Sequence, residues 1–209
     1  MPDIEAPTKT DGRHARGQLR QRAVIDAARR LFIAQGYRRT TLESIIAVAG
    51  GSRETIYRAF GGKRGLFGEI IAELGQRLAD SLVGPDALDL PPREGLTRFA
   101  TDLVAIWYSE EGTAMNRVVL SEGLDAPELV DAWYQGGTKL SIEALARYLN
   151  AQCDAGMLVQ LDAPLVARQF VMLLMGEMAF PLISGETEAD SLAQIERCVD
   201  LILRAYHSA

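Results

Sequence analysis

Apolar residues recur at three- and four-residue intervals along almost the whole chain, and the alternation of a half-buried strand is scarce. This patterning predicts an all-α protein of about nine helices. The first stripe, Val24, Ala27, Ala28, Leu31 and Phe32, marks a helix stopped by Gly36. Thr41 is placed to cap a second helix from Leu42 to Ala49, with Leu42, Ile45, Ile46 and Ala49 at core spacing. Gly50 and Gly51 follow at once, and a glycine just past a helix end supplies the left-handed residue that turns the chain. Ser52 then caps a third helix. At the helical period, Arg53, Glu54, Tyr57 and Arg58 fall on one arc of it and Thr55, Ile56, Ala59 and Phe60 on the other.

Beyond this point Lys63 to Val83 reads as a fourth helix, ended by Gly84 and Pro85, and residues 84–92 as a Pro- and Asp-rich loop. A fifth helix starts near Pro92 and carries Leu96, Phe99, Leu103, Ile106 and Trp107, with a break at Glu110 to Thr113. A sixth covers Ala114 to Ser121. Asp125, Pro127 and Glu128 have the build of a helix start, and the seventh helix runs from there to about Ala155. Asp162 and Pro164 open an eighth that ends near Pro181, and Glu188 to about Tyr206 gives the ninth. There is no internal repeat and no low-complexity segment.

A short helix, a tight glycine turn and a second short helix with a polar outer face make a helix-turn-helix. A face of long hydrogen-bonding side chains backed by an apolar one is what a helix lying in a major groove needs; an ordinary solvated surface helix has the same division. Charge favours the first reading. Through Phe67 there are 13 Lys and Arg against 6 Asp and Glu, a net of +7, while the rest holds 9 against 22, a net of −13. The formal −6 therefore hides a basic N-terminal third, and DNA affinity depends on where positive charge sits. Arg13, Arg16, Arg20 and Arg22 extend it into a polar lead-in: either a disordered tail or a basic arm reaching phosphates or the minor groove.

Other classes fit poorly. The N-terminus is polar and charged, unlike a signal peptide. The longest apolar stretch, Phe170 to Ile183, is interrupted by Gly176 and Glu177, and a bilayer takes about 20 residues, so no membrane partner is expected. Cys153 and Cys198 are expected as free buried thiols in a reducing cytoplasm. The only histidines, His14 and His207, lie near the two ends, a poor place for a preorganised catalytic site. No Cys/His cluster has metal spacing, and the glycines form neither a phosphate loop nor a dinucleotide fingerprint. The chain is thus expected to be no enzyme and to need neither metal nor cofactor.

From about Arg20 to Phe67 the residues resemble the TetR family of bacterial transcriptional regulators. Ile25, Ala27, Ala28, Leu31, Phe32, Gly36, Thr40, Ile45, Ala49, Gly50, Ser52, Thr55, Tyr57, Phe60, Lys63 and Leu66 stand in the family's order and spacing. Three positions depart from it: Ile46 and Glu54 where the family has small residues or proline, and Gly51 where it usually has Val. The segment from Arg117 through Trp133 and Tyr134 to the ninth helix looks like the C-terminal domain of AefR-like repressors. The resemblance implies an arm over 1–15, a DNA-binding domain over 16–62 and a ligand-binding and dimerisation domain over 63–209. It implies DNA contacts from Arg16, Arg20, Thr40, Thr41, Ser52, Arg53, Glu54, Thr55, Tyr57, Arg58 and Lys63.

The resemblance also implies dimerisation through the last two helices. Both are apolar most of the way round, as helices buried on two sides are. Phe170, Leu174, Met178, Ile195, Val199, Ile202 and Tyr206 are the candidate interface. Aromatic and Met side chains concentrated in the middle helices suit an adaptable apolar cavity. Trp107, Tyr108, Met115, Trp133, Tyr134, Met172 and Met175 are its candidate lining, with Glu122 and Glu177 for polar selectivity. The expectation is a cytoplasmic homodimeric repressor, released from a palindromic operator by a small, mostly apolar effector. Two alternatives remain: a DNA-binding regulator without an effector, and a ligand-binding scaffold with impaired DNA reading.

Overall fold

Among the described residues ten α-helices run in chain order: α1 (Asp11–Gln35), α2 (Leu42–Ala49), α3 (Arg53–Phe60), α4 (Lys63–Val83), α5 (Pro92–Tyr108), α6 (Glu110–Glu122), α7 (Pro127–Trp133), α8 (Lys139–Asp154), α9 (Ala163–Ser184) and α10 (Ser191–Tyr206), with a π-helical turn (Tyr134–Thr138) joining α7 to α8. They belong to a computed structural model that describes residues 11–83, 88–184 and 191–206. Among those residues there is no strand, as the patterning predicts. The chain divides into two compact units between Ile70 and Ile71, and α4 starts in the first and continues into the second.

In the first unit α1 packs on α2 and α2 on α3. Val24, Ala27, Ala28 and Phe32, the stripe of α1, are buried with Ile45, Ile56, Leu66 and Phe67. Phe32, Tyr37 and Phe67 form a ring cluster with centroids 5.2 to 6.2 Å apart, mostly tilted or edge-on, the arrangements that ring quadrupoles favour. α1 begins at Asp11, inside the stretch expected as an arm; residues 1–10 lie outside the described residues.

The second unit is a layered helical body in which α8 packs along α9, and α10 packs on α5 and α9. Its core is built from Leu96, Phe99, Tyr148, Leu149, Phe170 and Val199, with the Phe99 and Phe170 rings 6.3 Å apart. Gly95 leaves room for Tyr148, whose hydroxyl sits 2.8 and 3.0 Å from the carbonyl oxygens of Leu90 and Pro91 and donates to them. Gln152 Nε2 donates to the Leu88 carbonyl at 2.8 Å, so α8 holds the chain leading into α5 at two points. Burial, and then the charge of Glu94, push the Tyr148 phenol above its usual range, and it stays a neutral donor.

Three element boundaries differ from the patterning. The break expected at Glu110 to Thr113 narrows to Ser109, whose Oγ accepts from the Gly112 N–H at 3.0 Å and starts α6 at once. The expected seventh helix carries the π turn in its middle, at Gly136 and Gly137. α9 continues past Pro181 to Ser184. The expected start of the last helix at Glu188 lies outside the described residues.

Candidate DNA interface and ligand cavity

Helix caps set the polar face of the first unit. Thr41 Oγ1 accepts from the Ser44 N–H and Ser44 Oγ from the Thr41 N–H, each at 3.1 Å, so α2 opens on a reciprocal capping box. Gly50 and Gly51 take φ of 74° and 106°, a region that strains any residue with a Cβ. The departure at Gly51 therefore matches the local backbone: a Val at that φ is a genuine outlier. Ser52 Oγ then accepts from the Thr55 N–H at 3.2 Å and starts α3. The result leaves Arg53, Glu54, Tyr57 and Arg58 exposed, with Ile56 buried beneath them. Arg20 and Arg58 line one groove between α1 and α3, with Thr55 half-buried in its wall.

Other expected contacts are placed differently. Thr40 is fully buried; its hydroxyl donates to the Gly36 carbonyl at 2.8 Å and accepts from Gln35 Nε2, so its side chain cannot reach a phosphate. Lys63 Nζ donates to the carbonyls of Tyr37 and Thr40 at 2.9 and 3.0 Å and lies 4.0 Å over the Tyr37 ring. That ammonium closes the α1–α2 connection and is a structural tie. Arg53 forms an ion pair with Glu43 of α2. The Arg16 side chain lies outside the described residues.

The second unit holds an apolar cavity. One wall is α4, through Ile71, Leu74, Gly75 and Leu78; the others are Leu103, Ile106 and Trp107 of α5, Met115 and Asn116 of α6, Trp133, Gly137, Thr138, Ser141, and Val171 and Met175 of α9. It offers about 70 Å³ to the centres of water-sized molecules, and one water needs on the order of 10–15 Å³. A larger guest has to displace side chains, and Met115 and Met175 are the residue type that yields most easily. Glycines bring two walls together: a methyl on Gly75 would run into the Gly136 carbonyl oxygen, and one on Gly136 would meet Ala72.

Of the expected lining, Trp107, Met115, Trp133 and Met175 are present. Tyr108 is half-buried against the core, while Tyr134 and Met172 are exposed and away from the cavity. Glu122 is half-buried outside the cavity, and the side chain of Glu177 lies outside the described residues. Polarity comes instead from Asn116, Thr138 and Ser141. The α4 wall and Asn116 are absent from the expected lining; the adjacent Gly136 and Gly137 are the sequence signal that could have marked a close helix crossing.

Residues 24–70 match the model of the bacterial regulatory proteins of the tetR family, and residues 94–208 that of the AefR-like transcriptional repressor C-terminal domain. The chain belongs to the TetR family of transcriptional regulators. Like other TetR proteins it is a DNA-binding regulator and not an enzyme. It is 26% identical over 174 residues to the HTH-type transcriptional regulator AlkX of Mycobacterium tuberculosis, covering 83% of this chain and 81% of AlkX. It superposes on a crystal structure of a TetR-family regulator from Mesorhizobium loti with a TM-score of 0.76 at 26% identity, covering 92% and 99% of the two chains. For the flavonoid-responsive regulator FrrA the TM-score is 0.70 at 28% identity, covering 91% and 98%. Among the described residues no helix is long and apolar enough to cross a membrane.

The expected dimer stripe needs correction in this TetR chain. Phe170, Leu174, Met178, Ile195, Val199 and Ile202 are all 6% exposed or less within the single protomer and belong to its own core. They leave no surface for a partner. Tyr206 is half-buried, and its carbonyl accepts from the Val159 N–H at 3.0 Å. The apolar side chains that face outward on these two helices are Leu165 and Met172 of α9 and Leu192 and Leu201 of α10.

Proposed function

We propose that this TetR protein is a cytoplasmic, homodimeric repressor that leaves a palindromic operator when a small apolar molecule enters the cavity of its second unit. The observation that carries the reading is α4. Its residues Ile71 to Leu78 form one cavity wall, and the same helix begins at Lys63, beside the recognition helix α3 in sequence. A guest that pushes on this wall acts on a helix continuous with the DNA-binding unit. Two recognition helices must sit about 34–36 Å apart, one turn of DNA, or a multiple of it, so a small shift of α4 is enough to spoil the spacing. A similar protein, FrrA, is by its description flavonoid-responsive, which supports a flat apolar effector.

The outward apolar residues Leu165, Met172 and Leu201 supply a face for a second copy through α9 and α10. Arg20 and Arg58 serve the phosphates, and Arg53, Glu54 and Tyr57 the base edges. The reading is tested by selecting duplexes from random DNA and then screening neutral apolar compounds for release of the selected site. A two-fold symmetric site that at least one cavity-binding compound releases supports it; a site that no cavity-binding compound releases does not.

The small room in the cavity favours one second reading, a DNA-binding regulator whose core is filled and whose partner is another protein. Compounds that raise the melting temperature only in proteins with an intact cavity separate the two.

A further inference from the structure

We infer that the molecule taken by this cavity is neutral and carries a hydrogen-bond acceptor, which the indole N–H of Trp107 binds. The inference rests on the reading of the cavity as the effector site. Trp107 lines the cavity and is more than nine-tenths buried, and among the described residues its Nε1–H, itself buried, has no hydrogen-bond partner. Buried donors are almost always paired, and an unpaired one costs free energy that an acceptor on a guest returns.

Trp133 gives the contrast. Its ring meets that of Trp107 edge to face at 6.3 Å, and its own Nε1 donates to Asn116 Oδ1 at 3.0 Å. Of two neighbouring tryptophans in one cavity wall, one has its donor satisfied by the protein and the other does not. Asn116 is itself buried, so its oxygen is held where Trp133 needs it.

The rest of the wall decides the charge of the guest. Among the described residues, no side chain that ionises lines the cavity. A carboxylate or an ammonium entering it would lose its water and find no counter-charge. A carbonyl, ether or phenolic oxygen on an aromatic body satisfies both conditions: it meets the Trp107 donor, and its ring packs against the indoles and Met115.

The probes are acetophenone and α-methylstyrene, which share a shape and differ in one acceptor oxygen, with benzoate as the charged counterpart. Binding to the full-length protein is followed by calorimetry and by the two indole N–H resonances of 15N-labelled protein, assigned with Trp107→Phe. Acetophenone is expected to bind roughly three- to tenfold more tightly than α-methylstyrene, the worth of one neutral hydrogen bond. It should move the Trp107 indole resonance downfield and leave that of Trp133 nearly in place. Trp107→Phe should bring the two affinities together, and benzoate should bind most weakly. Equal affinities for acetophenone and α-methylstyrene in the wild type overturn the acceptor inference and leave the cavity reading standing. A preference that survives Trp107→Phe removes Trp107 as the donor, and tighter benzoate binding overturns neutrality. If neither neutral probe binds at millimolar concentration, the inference and the cavity reading fail together. Should Trp107→Phe not fold, Trp133→Phe gives the assignment, and the wild-type affinity ratio and indole shifts decide.

Discussion

Arg53, the first residue of α3, is ion-paired with Glu43 of the preceding helix, so the guanidinium proposed to read a base already holds a carboxylate. Both side chains are more than half exposed, at 67% and 54%, and such a pair adds only about 0–1 kcal/mol to stability. Its consequence is for DNA. Glu43→Gln should strengthen binding to the cognate duplex more than to a scrambled one, because it frees Arg53 for the base edge, and the lost negative charge adds a smaller gain on both. Arg53→Ala should instead cost about 1–3 kcal/mol on the cognate site and little on the scrambled one. Titrations of both duplexes at fixed salt read the two effects. Loss of discrimination in Glu43→Gln would instead make Glu43 a residue that aims Arg53.

Lys63 offers a second separation. Since its ammonium bonds the Tyr37 and Thr40 carbonyls, Lys63→Met should lower stability by about 1–3 kcal/mol while leaving the salt dependence of DNA binding unchanged. A salt slope reduced by about one unit, with unchanged melting, would return Lys63 to the phosphate-contacting set.

Gly75 tests the crossing of α4 with the π turn. In an open helix position Gly→Ala stabilises by about 1 kcal/mol, but here the methyl meets the Gly136 carbonyl. Gly75→Ala should therefore destabilise, by about 1–3 kcal/mol, as overpacking does. A higher melting temperature would show that the two backbones are not in contact.

Assembly distinguishes the inner and outer faces of the last two helices. On the proposed dimer, Met172→Glu should give a folded monomer, because Met172 is exposed on α9. Ile195→Arg should unfold the protomer itself, because that side chain sits in the core at 2% exposure. Light scattering and circular dichroism on the two variants give mass and fold separately. A Met172→Glu protein that stays dimeric places the interface elsewhere.

The contrast between Met172 and Ile195 also shows what the sequence could and could not say. Thr41, Gly50 and Ser52 act on atoms within three or four residues, so their caps and the turn between them were legible from the pattern. α9 is apolar nearly all round, so its spacing carried no register to tell the core side, Phe170 and Leu174, from the outer side, Leu165 and Met172. Lys63 looked like a DNA contact because its partners, the Tyr37 and Thr40 carbonyls, meet it only once the chain folds back. The π turn was invisible to a 3.6-residue period, and the cavity wall formed by α4 depended on it.

The most direct test of the account is reciprocal linkage between cavity and operator. Trp107 and Trp133 are the only tryptophans and both line the cavity, so intrinsic fluorescence reports a guest without interference from the DNA-binding unit. Operator affinity is measured with the cavity empty and saturated, and the guest's affinity with the operator absent and saturating. The account predicts that each weakens the other by one common factor, about 5–150-fold. A guest that saturates the fluorescence change while operator affinity stays the same would contradict it.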